Sequence, residues 1–71
     1  QVEVLLNAIS GEMKASDLMK AVGISDRKHF RKDYISVALK DGLIEMTIPD
    51  KPKSSNQKYR ITPLGIRQIS G

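Results

Sequence analysis

Cysteine and tryptophan are absent from this 71-residue chain, which holds one phenylalanine, two tyrosines and a single histidine. Each scarcity excludes something. Without cysteine there is neither a disulfide staple nor a thiolate metal site. With His29 alone, a two-histidine metal site and a Cys–His nucleophile pair are both ruled out. Tyr34 and Tyr59 read as core and hairpin packing rather than as base-stacking groups. No apolar run approaches the roughly 18 residues of a membrane span and no signal peptide is visible, so a cytosolic setting without membrane contact is expected. At 7.9 kDa there is room for one domain with one small core, not for a deep enzymatic cleft. The chain starts at Gln1 rather than Met, which suggests a fragment of a larger protein.

What the chain has is positive charge, unevenly spread. Twelve Lys and Arg face eight Asp and Glu, for a net charge of +4. Residues 1–25 are slightly acidic, whereas residues 49–71 set Lys51, Lys53, Lys58, Arg60 and Arg67 against Asp50 alone. That asymmetry favours an anionic partner.

The chain is organised around DRKHFRKDYISVALKDGLIE, residues 26–45, which reads as a helix running into a strand. Ser25 is the expected N-cap, with Asp26 adding negative charge at the positive end of the dipole. Phe30, Tyr34, Val37 and Ala38 share a face at helical period, and Gly42 is the expected left-handed stop. Ile35 and Leu39 form a second apolar pair outside this stripe; either the helix is covered on two sides or an apolar patch is left for another surface. Arg27, Lys28, Arg31 and Lys32 span roughly a 140° arc beside the apolar face. Cations in a first helical turn oppose the macrodipole at about 0.3–1 kcal/mol each. A rule broken in this way points to function, and phosphates or guanine edges would supply the missing negative potential.

Before this helix, Val4, Leu5, Ala8 and Ile9 mark a short amphipathic helix that stops near Ser10–Gly11. Met13 to Ala15 reads as an extended link. Ser16 is the expected cap of a second helix with Leu18, Met19 and Val22 turned inward, and Gly23 ends it. Two helices so close across a glycine turn have the spacing of a helix-turn-helix. After Gly42 the period changes to alternation over 43–48 and again over 58–62. The Pro-, Ser- and Lys-rich stretch 49–57 between them predicts an exposed, mobile hairpin tip. Thr62–Pro63 reads as an N-cap followed by proline in the first turn, with Leu64, Ile66 and Ile69 available for burial. The expected fold is α+β: a winged helix-turn-helix with three helices and a two- or three-stranded antiparallel hairpin wing. Its expected core is Leu5, Ile9, Leu18, Val22, Phe30, Tyr34, Val37, Ile44, Met46, Tyr59 and Ile61.

These residues carry a resemblance. DRKHFRKDYISVALKDGLIEMTIPDKPKSSNQKYRITPLG, preceded by LLNAIS and ASDLMKAVGI, resembles the C-terminal winged-helix segment of bacterial Fic (filamentation induced by cAMP) proteins. It is also similar to a segment closing RecG-helicase-related transcriptional regulators. The likeness covers residues 4–65, and DRKHFR, GLIEMTIPDKP and QKYRIT are its most specific parts. The resemblance implies a Fic enzyme elsewhere, in which a His-Pro-Phe motif and a Gly-rich anion loop transfer AMP to a hydroxyl. Neither that motif nor a GxxxxGK[ST] phosphate loop stands here, so no activity and no cofactor is expected of this segment.

Two functions fit. One is a DNA-binding module of a transcriptional regulator. It would lay recognition helix 26–41 in the major groove through Arg27, Lys28, Arg31 and Lys32, with Lys51, Lys53 and Lys58 of wing 49–58 on the phosphates. The other is a protein-interaction or intramolecular regulatory domain of a Fic-type or ATPase/helicase-related protein. It would dock as a homodimer or onto other domains of its chain, through Ile35, Leu39 or the C-terminal apolar residues.

Overall fold

Two glycines in left-handed conformation set the helix boundaries of this α+β fold, described by a computed structural model over residues 2–70. Helix α1 is Val2–Ala8 and α2 is Ala15–Val22. The long helix α3 covers 27–40 and is composite: α-helical Arg27–Phe30, a π-helical turn Arg31–Ile35, then α-helical Ser36–Lys40. Strands β1 (Ile44–Met46) and β2 (Tyr59–Ile61) pair antiparallel, and α4 is Pro63–Ser70. The described residues thus hold four helices rather than three, because the turn after Thr62–Pro63 continues for eight residues. None of these helices is long and apolar enough to cross a membrane.

Gly23 and Gly42, at φ 76° and 72°, end α2 and α3 in the same way. The N–H of the following residue reaches back five positions, Ile24 to the Met19 carbonyl at 3.0 Å and Leu43 to the Ala38 carbonyl at 2.9 Å. Such closure satisfies carbonyls that the helix end would otherwise orphan, and only glycine takes this backbone without strain.

The helix starts depart from expectation. Asp26, not Ser25, caps α3: its own backbone is extended and its carboxylate accepts from His29 N–H at 3.2 Å. Ser16 lies inside α2, whose cap position is Lys14 with no side-chain bond. The cause is Met13, which exchanges backbone hydrogen bonds with Tyr59 (3.0 and 2.7 Å). That bridge holds Met13 extended, so the helix begins as soon as the chain leaves the sheet. Thr62 behaves as expected, its hydroxyl accepting from Gly65 N–H at 3.1 Å while donating to the Gly42 carbonyl at 2.6 Å.

The apolar face of α3 is rotated from the straight-helix reading. Phe30, Ile35 and Ala38 are buried and Tyr34 and Leu39 half-buried, while Val37 is 39% exposed. The π-helical turn inserts one residue into the repeat, so five positions rather than four separate consecutive inward side chains. Ile35 thereby takes the place foreseen for Tyr34, whose ring instead stacks on Phe30 with centroids 5.5 Å apart. In α1 Leu5 and Leu6 are buried, as is Ile9 just beyond it, and Val4 is exposed, a shift of one position. Val22, Met46 and Ile61 pack partly buried against the core, to which Met19 and Leu43 also contribute.

The sheet is shorter than 43–48 with 58–62. Its register is Ile44 opposite Ile61, Glu45 opposite Arg60 and Met46 opposite Tyr59, with Thr47 N–H continuing to the Lys58 carbonyl at 2.9 Å. Beyond it, residues 48–57 form three consecutive turns, closed by Lys51 to Ile48, Ser54 to Lys51 and Gln57 to Ser54, each at 3.0 Å. Gln57, only 6% exposed, holds them together. Its amide accepts from Ile48 N–H at 2.9 Å and donates to the carbonyls of Lys51, at 2.9 Å, and of Ile48. A tip expected to be mobile is folded around one buried polar side chain, which satisfies backbone groups that water would otherwise have to reach.

Candidate anion-binding face

The seven cations expected to meet an anion lie on two elements. Arg27 and Lys28 open α3 and Arg31 and Lys32 belong to its π-helical turn, all four exposed. Lys51 and Lys53 stand exposed on the tip, and Lys58 is half-buried just before β2. Among the described residues none of the seven takes part in an ion pair. The pairs there are His29–Asp33, Arg60–Glu12 and Arg60–Glu45.

Arg60 shows what a committed cation looks like. It faces Glu45 across the sheet, hydrogen-bonds its carboxylate, and reaches Glu12 at 3.5 Å. The Glu45 hydrogen bond and charge hold the guanidinium above its ordinary pKa. His29 is engaged too, its Nδ1 lying 2.6 Å from the Asp33 carboxylate and its ring edge-on to Tyr34. Asp33 thus pairs with this histidine rather than with a Lys or Arg. Among the described residues no group of three His, Asp or Glu side chains is placed to hold a metal ion.

Three of the seven cations converge. Arg27, Arg31 and Lys53 line an open cleft of about 230 Å³ between α2, α3 and the tip, together with Ser16, Ser54, Ser55 and Gln57. Lys28, Lys32, Lys51 and Lys58 lie outside it. The cleft also takes Lys14, which is not among the seven and sits in a segment whose net charge is negative. A signal was available: Lys14 directly precedes α2, and the first turn of a helix draws anions toward the residues flanking it.

The surface expected for docking is only partly there. Ile35 is buried and Leu39 half-buried, so that pair is core. The C-terminal apolar residues Leu64, Ile66 and Ile69, the other candidates for docking, are exposed. Gly65 takes the inward position of α4, against the Leu43 carbonyl and Ile61.

Residues 1–62 match the family model of the filamentation induced by cAMP protein Fic-like, C-terminal domain. The chain belongs to this family. It is also similar to a crystal structure of a Fic family protein from Desulfovibrio desulfuricans G20, at 47% identity and a TM-score of 0.84 over 89% of the chain. The matched region is 20% of that protein's chain, so this Fic-like C-terminal domain spans about one fifth of its relative's length. No curated protein sequence matches it.

Proposed function

We propose that this chain is a non-catalytic accessory module of a Fic protein, winged-helix in type, that docks onto the rest of that protein through α4. One observation carries the reading. Three of the eight residues of α4 are large aliphatics left in solvent, Leu64 and Ile66 at 49% and 50%. Scattered exposed leucines need no explanation, but a short helix that turns glycine inward and aliphatics outward suits a covered surface. The partner is supported by family: in the similar Fic protein four-fifths of the chain lies outside the matched part.

Hydrogen exchange tests this. In a full-length Fic protein carrying the domain, amides of residues 63–70 exchange more slowly than in the isolated 71-residue chain. A Leu64→Lys/Ile66→Lys double variant returns them to the isolated rate. Equal rates in both wild-type contexts would overturn the docking reading.

A second reading, binding of duplex DNA, is favoured by the cations of α3 and the tip, which have no acidic partner among the described residues. Here residues 27–32 enter the major groove and Lys51, Lys53 and Lys58 reach flanking phosphates. Kinship with RecG-helicase-related regulators belongs to this reading alone. An Arg27→Glu/Arg31→Glu variant that binds generic duplex as well as wild type at low salt would remove it.

A further inference from the structure

We propose that the cleft between α2, α3 and the hairpin tip is a phosphate-binding site, with Lys14, Arg27, Arg31 and Lys53 supplying its charge. The four come from three separate segments, yet they line one opening of about 230 Å³ whose lining includes no acidic side chain. All four are exposed, and none forms an ion pair among the described residues. Like charges brought together in this way repel, and an anion seated between them relieves the repulsion.

The surroundings suit a phosphate. Arg27 and Arg31 stand four residues apart on α3, and guanidinium forks match phosphate oxygens in bidentate fashion. The first turn of α2 opens onto the same cleft at Lys14, Ala15 and Ser16, and no side chain caps it. Its amide groups add donors and a favourable dipole. Lys53 and Ser54 are not on a loose arm, because the buried Gln57 amide ties this tip together. The volume lies below the roughly 300–1,000 Å³ of pockets that enclose whole small molecules. The only aromatic ring on the lining, Tyr59, is buried and offers no stacking face. The cleft therefore reads charge rather than a base. Two sources carry that group: the backbone of a nucleic-acid strand, in which case the site rests on the DNA reading, or a free phosphorylated small molecule, in which case it does not.

The test is a titration of the ¹⁵N-labelled 71-residue chain with inorganic phosphate at constant ionic strength, chloride replacing it in the control, and separately with a short duplex. The expected result is saturable shifts of the amides of 14–16 and 53–55 with phosphate and not with chloride. Lys14→Gln or Arg31→Gln weakens the apparent affinity about tenfold, as expected for loss of one charge-assisted hydrogen bond. Lys32→Gln, outside the cleft, leaves it unchanged. A duplex that shifts the same amides and competes with phosphate identifies the strand backbone as source. Saturation by phosphate with no competition identifies the free anion, and the cleft then stands independently of the DNA reading. Cleft amides silent toward both ligands, or equal losses from Arg31→Gln and Lys32→Gln, overturn the proposal; duplex binding lost on Lys28→Gln/Lys32→Gln alone would then leave the DNA reading standing without it.

Discussion

Gln57 reaches across the hairpin and takes both backbone groups of Ile48, accepting from its N–H at 2.9 Å and donating to its carbonyl. The side chain thus replaces a missing strand partner where the ladder ends and the tip turns away. Gln57→Ala removes both bonds and the one to the Lys51 carbonyl. Leaving such groups unsatisfied costs about 1–3 kcal/mol. Denaturant unfolding should show a loss in that range, and the Ile48 amide should lose its exchange protection. Gln57→Glu keeps the acceptor but not the donor, so Ile48 N–H stays protected while part of the stability loss remains. If both variants match wild type, the tip is not held by this residue.

Gly65 sets two effects against each other. By helix propensity alone, Gly65→Ala in α4 would stabilise by up to about 1 kcal/mol. A Cβ there, however, would lie 2.2 Å from the Leu43 carbonyl oxygen and 2.7 Å from Ile61 Cγ1. The carbonyl belongs to the backbone just before β1 and accepts from Thr62 N–H at 3.0 Å, so it cannot swing aside cheaply. Overpacking of this type costs about 1–3 kcal/mol. The clash should win, giving a lower thermal midpoint and faster exchange across 63–70. A raised midpoint would mean that α4 sits further from the sheet.

Substitutions along α3 read out the rotation of its face. Phe30 is fully buried, and Phe30→Ala should cost about 3–5 kcal/mol. Ile35→Ala should cost about 2–5 kcal/mol, whereas Val37→Ala should stay within about 0.5 kcal/mol. Chemical denaturation of the three variants decides between the two faces. A Val37 loss larger than the Ile35 loss would restore the straight-helix stripe.

The same helix shows how far sequence patterns reach. Its end was legible because Gly42 has a distinct physical job, and Thr62–Pro63 announced α4 for the same reason. Alternation marked both strands, which are buried on one side. The π-helical turn was not legible, since a 3.6-residue period carries no mark for an inserted residue. Gln57 was hidden as well: in a Pro-, Ser- and Lys-rich stretch it reads as solvated, and only folding the tip reveals what it bonds. Of the candidate site, Arg27, Arg31 and Lys53 were visible as charge, but their meeting with Lys14 depends on tertiary placement.

The cap of α3 can be tested at two neighbouring positions. Asp26 accepts from His29 N–H, while Ser25 makes no such bond. Asp26→Ala should therefore destabilise by about 0.5–2 kcal/mol and Ser25→Ala by much less. Removing Asp26 also strips negative charge from beside Arg27 and Lys28, which raises the positive potential of the face. Stability falls while affinity for a polyanion rises, and a variant losing both would show that the cap organises the binding face itself.

Salt dependence separates cations that are free to bind from those already engaged. Each phosphate neutralised on a duplex contributes about −0.9 to the slope of log K against log salt. Four to six contacts from α3 and the tip would give a slope of about −4 to −5. Arg31→Gln should reduce its magnitude by about 1, since Arg31 has no ion-pair partner among the described residues. Arg60→Gln should leave it almost unchanged, although Arg60 is also exposed: its charge is spent on Glu45 and Glu12. Fluorescence anisotropy on a generic duplex over a tenfold range of salt measures both slopes. Equal reductions from Arg31→Gln and Arg60→Gln would show that binding follows net charge rather than a defined face, and the duplex reading would lose its geometric basis.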